Sequence, residues 1–270
     1  MATLPKKATE RLGAGLRRFQ PILSAAKARD VNESDTVVIV TDILAGVFGY
    51  DKYSEITSEH AIRGTFCDLA VKLEGVLTFL VEVKAVGLDL KEHFVKQAVD
   101  YAANQGVEWV VLTNGVLWRV HHVAFTKPIE TELVVAFDLL SMGPRNQEDI
   151  ELLGLLARES WQKACLGDYR SQRLALSRFT LGALLLSEPV LDVLRRELRR
   201  LSPDVRITRD DIRAALETDV VKREVLDGEK AELARRQINK APRRALKATK
   251  APSEEGTVSG PQGDAGPPAA

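Results

Sequence analysis

The sequence predicts an α/β protein, with a mixed central sheet of about five strands, flanking helices, then a helical region and a disordered tail. Three observations carry this expectation. Short apolar, β-rich runs lie between Phe66 and Val120, each bounded by turn residues. A helical pattern, 89–102, falls among them, and leucine-rich helical periodicity then dominates from Ile150 to Leu226. The final stretch is basic and rich in Pro, Gly, Ser and Ala. The expected organisation is a helical N-terminal extension over 1–30, an α/β domain over 31–143, a helical accessory region over 144–228 and a basic, largely disordered tail over 229–270.

After the extension, Asn32-Glu33-Ser34-Asp35-Thr36 leads into Val37 to Phe48, whose β-branched opening reads as strand on propensity alone. Phe66 to Leu73 has strand composition, and so has Leu77 to Ala85. The second run holds the most informative residues in the chain, because Glu82 and Lys84 interrupt an apolar strand where an unpaired charge is costly. Strand alternation puts Thr78, Leu80, Glu82 and Lys84 on one face and Leu77, Phe79, Val81 and Val83 on the other. The two runs read as a hairpin. A two-residue loop at Glu74-Gly75 pairs Asp68 with Val81, on the wrong face, whereas a three-residue loop that includes Val76 pairs Asp68 with Glu82. The three-residue loop is the expectation, and it brings two carboxylates and a lysine together. Two adjacent carboxylates repel unless a proton or cation lies between them, and a hard divalent cation such as Mg²⁺ takes such oxygen ligands.

Asp89 to Ala102 reads as a helix with Asp89 as N-cap, Glu92 completing a capping box, and Gln97 and Tyr101 one turn apart. Glu108 to Val120 reads as strand, Asn-Gly turn, strand.

Asp68, then Glu82-Val83-Lys84, then Gln97-x-x-x-Tyr101, resembles the PD-(D/E)XK nuclease superfamily, and the succession is similar to the N-terminal nuclease domain of type I restriction enzyme R subunits. Cys67 stands where the superfamily has its proline. The resemblance implies a restriction-endonuclease-like fold and makes Val37–Phe48 a helix. It implies metal-dependent hydrolysis of DNA phosphodiesters, leaving 5′-phosphate and 3′-hydroxyl ends. Asp68, Glu82, Lys84 and Gln97 are then catalytic. Asp68, Glu82, the Val83 carbonyl and Glu33 are then the metal ligands, for Mg²⁺ or alternatively Mn²⁺. A non-catalytic module that keeps the fold to bind nucleic acid or dock a protein is the other class of reading.

Composition narrows the remaining classes. Hydrophobic residues make 45% and charged residues 28%, as in ordinary globular proteins, and no apolar run is long enough to cross a bilayer. The N-terminus lacks the apolar stretch of a secretory signal, so a cytoplasmic location is expected, and two cysteines do not make a disulfide framework. Lys plus Arg equals Asp plus Glu at 38 each, so any DNA affinity rests on local charge. Arg235 to Lys250 is basic without an acid, which suits a tether to phosphate or a solubilising tail. His121 and His122, adjacent on a strand, point to opposite faces and do not suit one zinc ion. No Gly-x-x-x-x-Gly-Lys-Ser/Thr motif is present, so a translocating motor is expected to be absent or supplied by a motor or specificity subunit; a homodimer is the other partner expectation.

Overall fold

The structure, a computed structural model, describes residues 4–62 and 65–248. The chain divides into two units, Met1–Ser171 and Gln172–Ala270. In the first, a six-stranded mixed sheet runs in the order β1 (Ile56–Ile62), β2 (Thr65–Leu73), β3 (Val76–Val83), β4 (Trp109–Thr113), β5 (Leu117–Ala124), β6 (Glu130–Asp138). One more strand forms than expected. Only β3 and β4 are parallel, joined by the crossover helix α3 (Glu92–Gln105).

Each face of the sheet carries its own core. On one, Leu69, Val71, Phe79, Val81, Val83, Trp118 and Val120 pack against α1 (Lys6–Ala28), through Leu12, Leu16, Phe19 and Leu23, and against α2 (Glu33–Ile43). On the other, Ala70, Leu80, Val110 and Leu112 pack against Val95, Ala98, Val99 and Ala102 of α3. The predicted N-terminal helix is therefore core-forming, and Gly15 lets it close on the next layer: a Cβ there would sit 2.9 Å from Val47 Cγ2. The β-branched stretch after Thr36 is helical, capped by the Asn32 side chain on Asp35 N–H and extended by a π-helical turn over Leu44–Phe48. Tertiary burial of Val40, Ile43, Leu44 and Val47 outweighs the strand propensity. The open carbonyls of Val47 and Phe48 are taken by Arg11, which also pairs with Glu159 through two 2.8 Å bonds.

The hairpin differs from the expectation. Glu74 and Gly75 alone form the loop, both left-handed (φ 52° and 81°), with Leu73 paired to Val76. That loop by itself would set Asp68 against Val81. A bulge corrects it: Lys72 pairs with Leu77 but Val71 pairs with Phe79, so Thr78 is an extra residue on β3. Beyond it Ala70 faces Leu80 and Leu69 faces Val81. One step further in the same register, Asp68 stands opposite Glu82.

The division between the units falls after Ser171, so α4 (Gln147–Gly154) and α5 (Arg158–Trp161) lie within the first unit. Tyr50 donates to the Leu156 carbonyl at 2.7 Å, Gln20 donates to the carbonyls of Leu139 and Met142, and Arg158 pairs with Glu55 at 2.8 Å. After α6 (Cys165–Ala175), the second unit is helical: α7 (Arg178–Leu185), α8 (Glu188–Leu201), α9 (Arg209–Ala215), a π-helical turn over Leu216–Val220, α10 (Arg223–Leu226) and α11 (Glu229–Ala248). A Thr208–Asp211 capping box starts α9. The expected tail is thus helical as far as Ala248, and its remainder, 249–270, lies outside the described residues. Among the described residues no helix is long and apolar enough to cross a membrane, and both cysteines are free and buried.

Glu74 holds a left-handed conformation that asparagine adopts more readily. Glu74→Asn is expected to stabilise the protein by about 1 kcal/mol, read as a raised denaturant midpoint with an unchanged slope.

Candidate active site

The site lies at the carboxyl end of β3, beside the parallel strand β4. Each of its groups is placed by the backbone. Asp68 comes from β2, and its Oδ2 accepts the Val83 N–H at 2.7 Å, so the carboxylate bridges the two strands. Glu82 is only 4% exposed. Lys84 follows β3 directly; its backbone N–H donates to the Thr113 carbonyl at 2.8 Å, and its Nζ donates to Glu82 Oε1 at 2.8 Å. The same Nζ lies 3.5 Å from Oε2 of Glu33, in the first turn of α2, and 5.8 Å from the centre of the Phe94 ring on α3. The strand, both helices and the neighbouring strand therefore all converge on Lys84.

The electrostatics follow from three carboxylates around one ammonium. Burial pushes the Asp68 carboxyl up, against the opposing effects of the Val83 N–H and Lys84. Burial also raises Glu82; its hydrogen bond from Lys84 opposes this, while Asp68 and Glu33 add to it. For Lys84, burial works toward loss of the proton, but the bond and charge of Glu82, with Glu33 and Asp68, outweigh it and hold the ammonium above its ordinary value. Cys67, in the proline position, is a buried thiol pushed up to about 12 by burial and then by Glu82 and Asp68. It is inert packing rather than a nucleophile.

Asp68 and Glu82, with the Val83 backbone carbonyl, fit a hard divalent cation. They are all oxygen donors, and burial raises both carboxyls, an effect that positive charge beside them opposes. Among the described residues no group of three or more His, Cys, Asp or Glu side chains could hold a metal ion, so this donor set relies on backbone and solvent oxygen. Glu33 reaches the cluster through Lys84. Gln97 is on an exposed position of α3, one turn beyond Phe94, and Tyr101 is buried in the α3 core.

Two residues that shape the site were not singled out from the sequence. Phe94 reads there as a sheet-packing residue. Asn114 reads there as half of an Asn-Gly turn, yet three residues, Asn114 to Val116, link β4 to β5, and Asn114 is buried. Its Oδ1 accepts from the N–H groups of Val116 and Leu117, and its Nδ2 donates to the carbonyls of Val86 and Leu88. Arg119 adds a 2.6 Å bond to the Leu90 carbonyl. These bonds fix the segment between Lys84 and α3, which is why the helix begins at Glu92 with Lys91 as N-cap and not at the predicted Asp89 capping box.

Asn114→Ala leaves several buried backbone groups unpaired and is expected to cost about 2–3 kcal/mol by denaturant unfolding. The raised carboxyls predict a pH effect whose sign is fixed. A folded acid that holds its proton above the ordinary value binds more protons than the unfolded chain, so stability falls as pH rises from that ordinary value through the folded one. In chelator, Asp68→Asn should flatten this fall, as thermal unfolding at a series of pH values would register.

The stretch 41–134 matches the family model of the type I restriction enzyme R protein N terminus; the match takes in Asp68, Glu82, Lys84, Gln97 and Tyr101, and leaves Glu33 and α1 outside. No curated protein and no solved structure matches the chain. The part of the chain that builds β1 to β5 and the strand-borne half of the site therefore resembles the nuclease domain of the type I restriction enzyme R protein.

Proposed function

We propose that the first unit is a metal-dependent deoxyribonuclease of restriction type that hydrolyses phosphodiester bonds. The observation that carries this reading is Lys84 held 2.8 Å from a buried Glu82, with Asp68 anchored to the intervening Val83 N–H, inside the stretch that resembles the restriction-enzyme domain. A Mg²⁺ or Mn²⁺ ion held by Asp68, Glu82 and the Val83 carbonyl would polarise the scissile phosphate and lower the pKa of a bound water.

The chain's own groups do the rest. Asp68 and Glu82 stay ionised once positive charge is beside them, because that charge reverses the effect that raises them without it. Lys84 keeps its proton, held by the Glu82 and Glu33 charges. Its ammonium donates to a non-bridging oxygen and neutralises charge that builds as the bond to phosphorus forms. Phe94 offers the ammonium a ring face and no competing acceptor. Gln97, exposed on the same side of α3, presents its amide to the phosphate or to Lys84. Glu33 orients the lysine from the α2 side and adds an outer acidic group to the metal shell.

One observation favours the rival reading, a non-catalytic module that docks nucleic acid or protein. The Lys84–Glu82 pair is complete by itself and satisfies both charges as a structural ion pair would. Cleavage separates the two. Full-length protein should cut linear, nicked or single-stranded DNA with Mg²⁺ or Mn²⁺ and not in chelator. Lys84→Ala should lower the rate roughly 10²–10³-fold while the DNA dissociation constant stays within about twofold, since one charge among many adds little to ground-state affinity. Full metal-dependent activity in Lys84→Ala, in protein shown free of other nucleases, would overturn the role given to Lys84, and DNA binding without any metal-dependent cleavage by the unaltered protein would favour the docking reading.

A further inference from the structure

Helix α11 (Glu229–Ala248) has two unlike sides. It packs on α7, with Ala231 and Ala234 buried and Ile238 half-buried on one side. At 3.6 residues per turn, positions 236, 240, 243, 244 and 247 fall within an arc of about 100° on the other. Those positions hold Arg236, Lys240, Arg243, Arg244 and Lys247, and no Asp or Glu occurs from Leu233 to Ser253. Arg236 and Lys240 are exposed. Arg236 pairs with Glu232 one turn earlier at 2.8 Å, but an exposed pair of this kind is weak and yields to a stronger anion. Arg235 stands apart from this face, because it donates to the Leu226 carbonyl at the end of α10.

A segment that served solubility alone would need charge but no sidedness. In α11 the apolar positions are used for packing, and the cations gather on the side left over. A face of that kind fits a polyanion. A helix that lies on a membrane needs large apolar side chains opposite its cations, free to enter the bilayer. The side of α11 opposite its cations is instead small and buried at Ala231 and Ala234, in a helix already packed on α7. A phosphate backbone asks for no apolar face. Arg236 to Lys247 spans about 16 Å of helix axis, and that length of duplex carries about ten phosphates, ample for five cations.

We propose that α11 is a sequence-independent DNA-binding helix, whose face of Arg236, Lys240, Arg243, Arg244 and Lys247 lies against the phosphates of a duplex. The basic face is a feature of the second unit in its own right; the choice of DNA as its partner rests on the nuclease reading. Each phosphate contact releases counterions, so the helix supplies a salt-sensitive affinity that a chain with equal numbers of acids and bases lacks elsewhere. Such contacts carry no base information, so unrelated sequences are held alike.

The test measures duplex binding by the full chain in chelator, by fluorescence anisotropy over a series of salt concentrations, so cleavage plays no part in it. Arg236→Gln, Lys240→Gln, Arg243→Gln, Arg244→Gln and Lys247→Gln combined remove the charge and keep helix propensity. This variant should bind at least about tenfold more weakly at about 0.1 M salt, with the slope of log affinity against log salt reduced by about 4, equally for unrelated sequences. Arg236→Lys, Arg243→Lys and Arg244→Lys combined keep the charge and should keep the slope. The proposal is overturned if the glutamine variant, shown folded by circular dichroism, binds with unchanged slope and affinity, or if the lysine variant loses as much as the glutamine variant. It is also overturned if the unaltered chain fails to bind duplex at about 50 mM salt, or if the cations are needed for phosphatidylserine vesicles and not for duplex. Absence of metal-dependent cleavage alongside the expected change of slope would overturn the nuclease reading and leave this one standing.

Discussion

One surplus residue on β3 sets what each face of the sheet can do. A two-residue loop fixes the start of the hairpin, and strand parity would then carry Asp68 to the α1–α2 side, into a core of Leu69, Phe79 and Val81. Thr78 breaks that parity once. After the bulge the apolar residues of β2 and β3 still divide between the two cores, and both carboxylates fall on the α3 side near the strand end. A one-residue slip exchanges the faces of every later side chain, so the bulge is constrained from both sides: by the chemistry at Glu82 and by the burial of Phe79, Val81 and Val83.

The second constraint is electrostatic. Three acids share one ammonium, and both strand-borne carboxyls are raised by burial. Each charge in the cluster has a partner: Asp68 the Val83 N–H of the neighbouring strand, Lys84 the Glu82 carboxylate two residues before it, and Glu33 of α2 the Lys84 ammonium. Pairing keeps the ions folded in place, while burial keeps both strand-borne carboxyls above their ordinary values.

Much of this was legible in the chain. A Glu and a Lys two residues apart in an apolar strand demand a compensating arrangement, and the hairpin partner with an acid at the matching position supplies it. What failed was local. The loop length was inferred from parity alone, and a bulge at Thr78, which has no Gly or other turn residue to announce it, achieves the same register by another route. The α2 segment misleads on propensity because Val37 to Val40 are β-branched, and burial against the sheet overrides that preference. The start of α3 misleads because Asp89 and Glu92 have capping-box spacing, while tertiary bonds from Asn114 and Arg119 hold the preceding loop. Strand β1 and strand β6 were missed for a different reason. Ile56–Ile62 and Glu130–Asp138 carry charged or polar residues among their apolar ones, as edge strands do.

Asn114 ties the two chain segments that leave the parallel strands beside the site. In a parallel pair the chain leaves both strands at the same end, and β3 must there turn away into α3 while β4 turns back into β5. Backbone carbonyls in those two turns would have no ladder partners. Asn114 spans the gap with one amide, taking two N–H groups from its own turn and giving two N–H bonds to the turn opposite. The two turns are thereby tied together, and the Thr113 carbonyl on the same strand end receives Lys84 N–H. Lys84 points where it does because the strand beside it has already been tied to the loop that follows it. The rigidity that positions the lysine comes from the β4 turn, and the acids that charge it come from β2, β3 and α2.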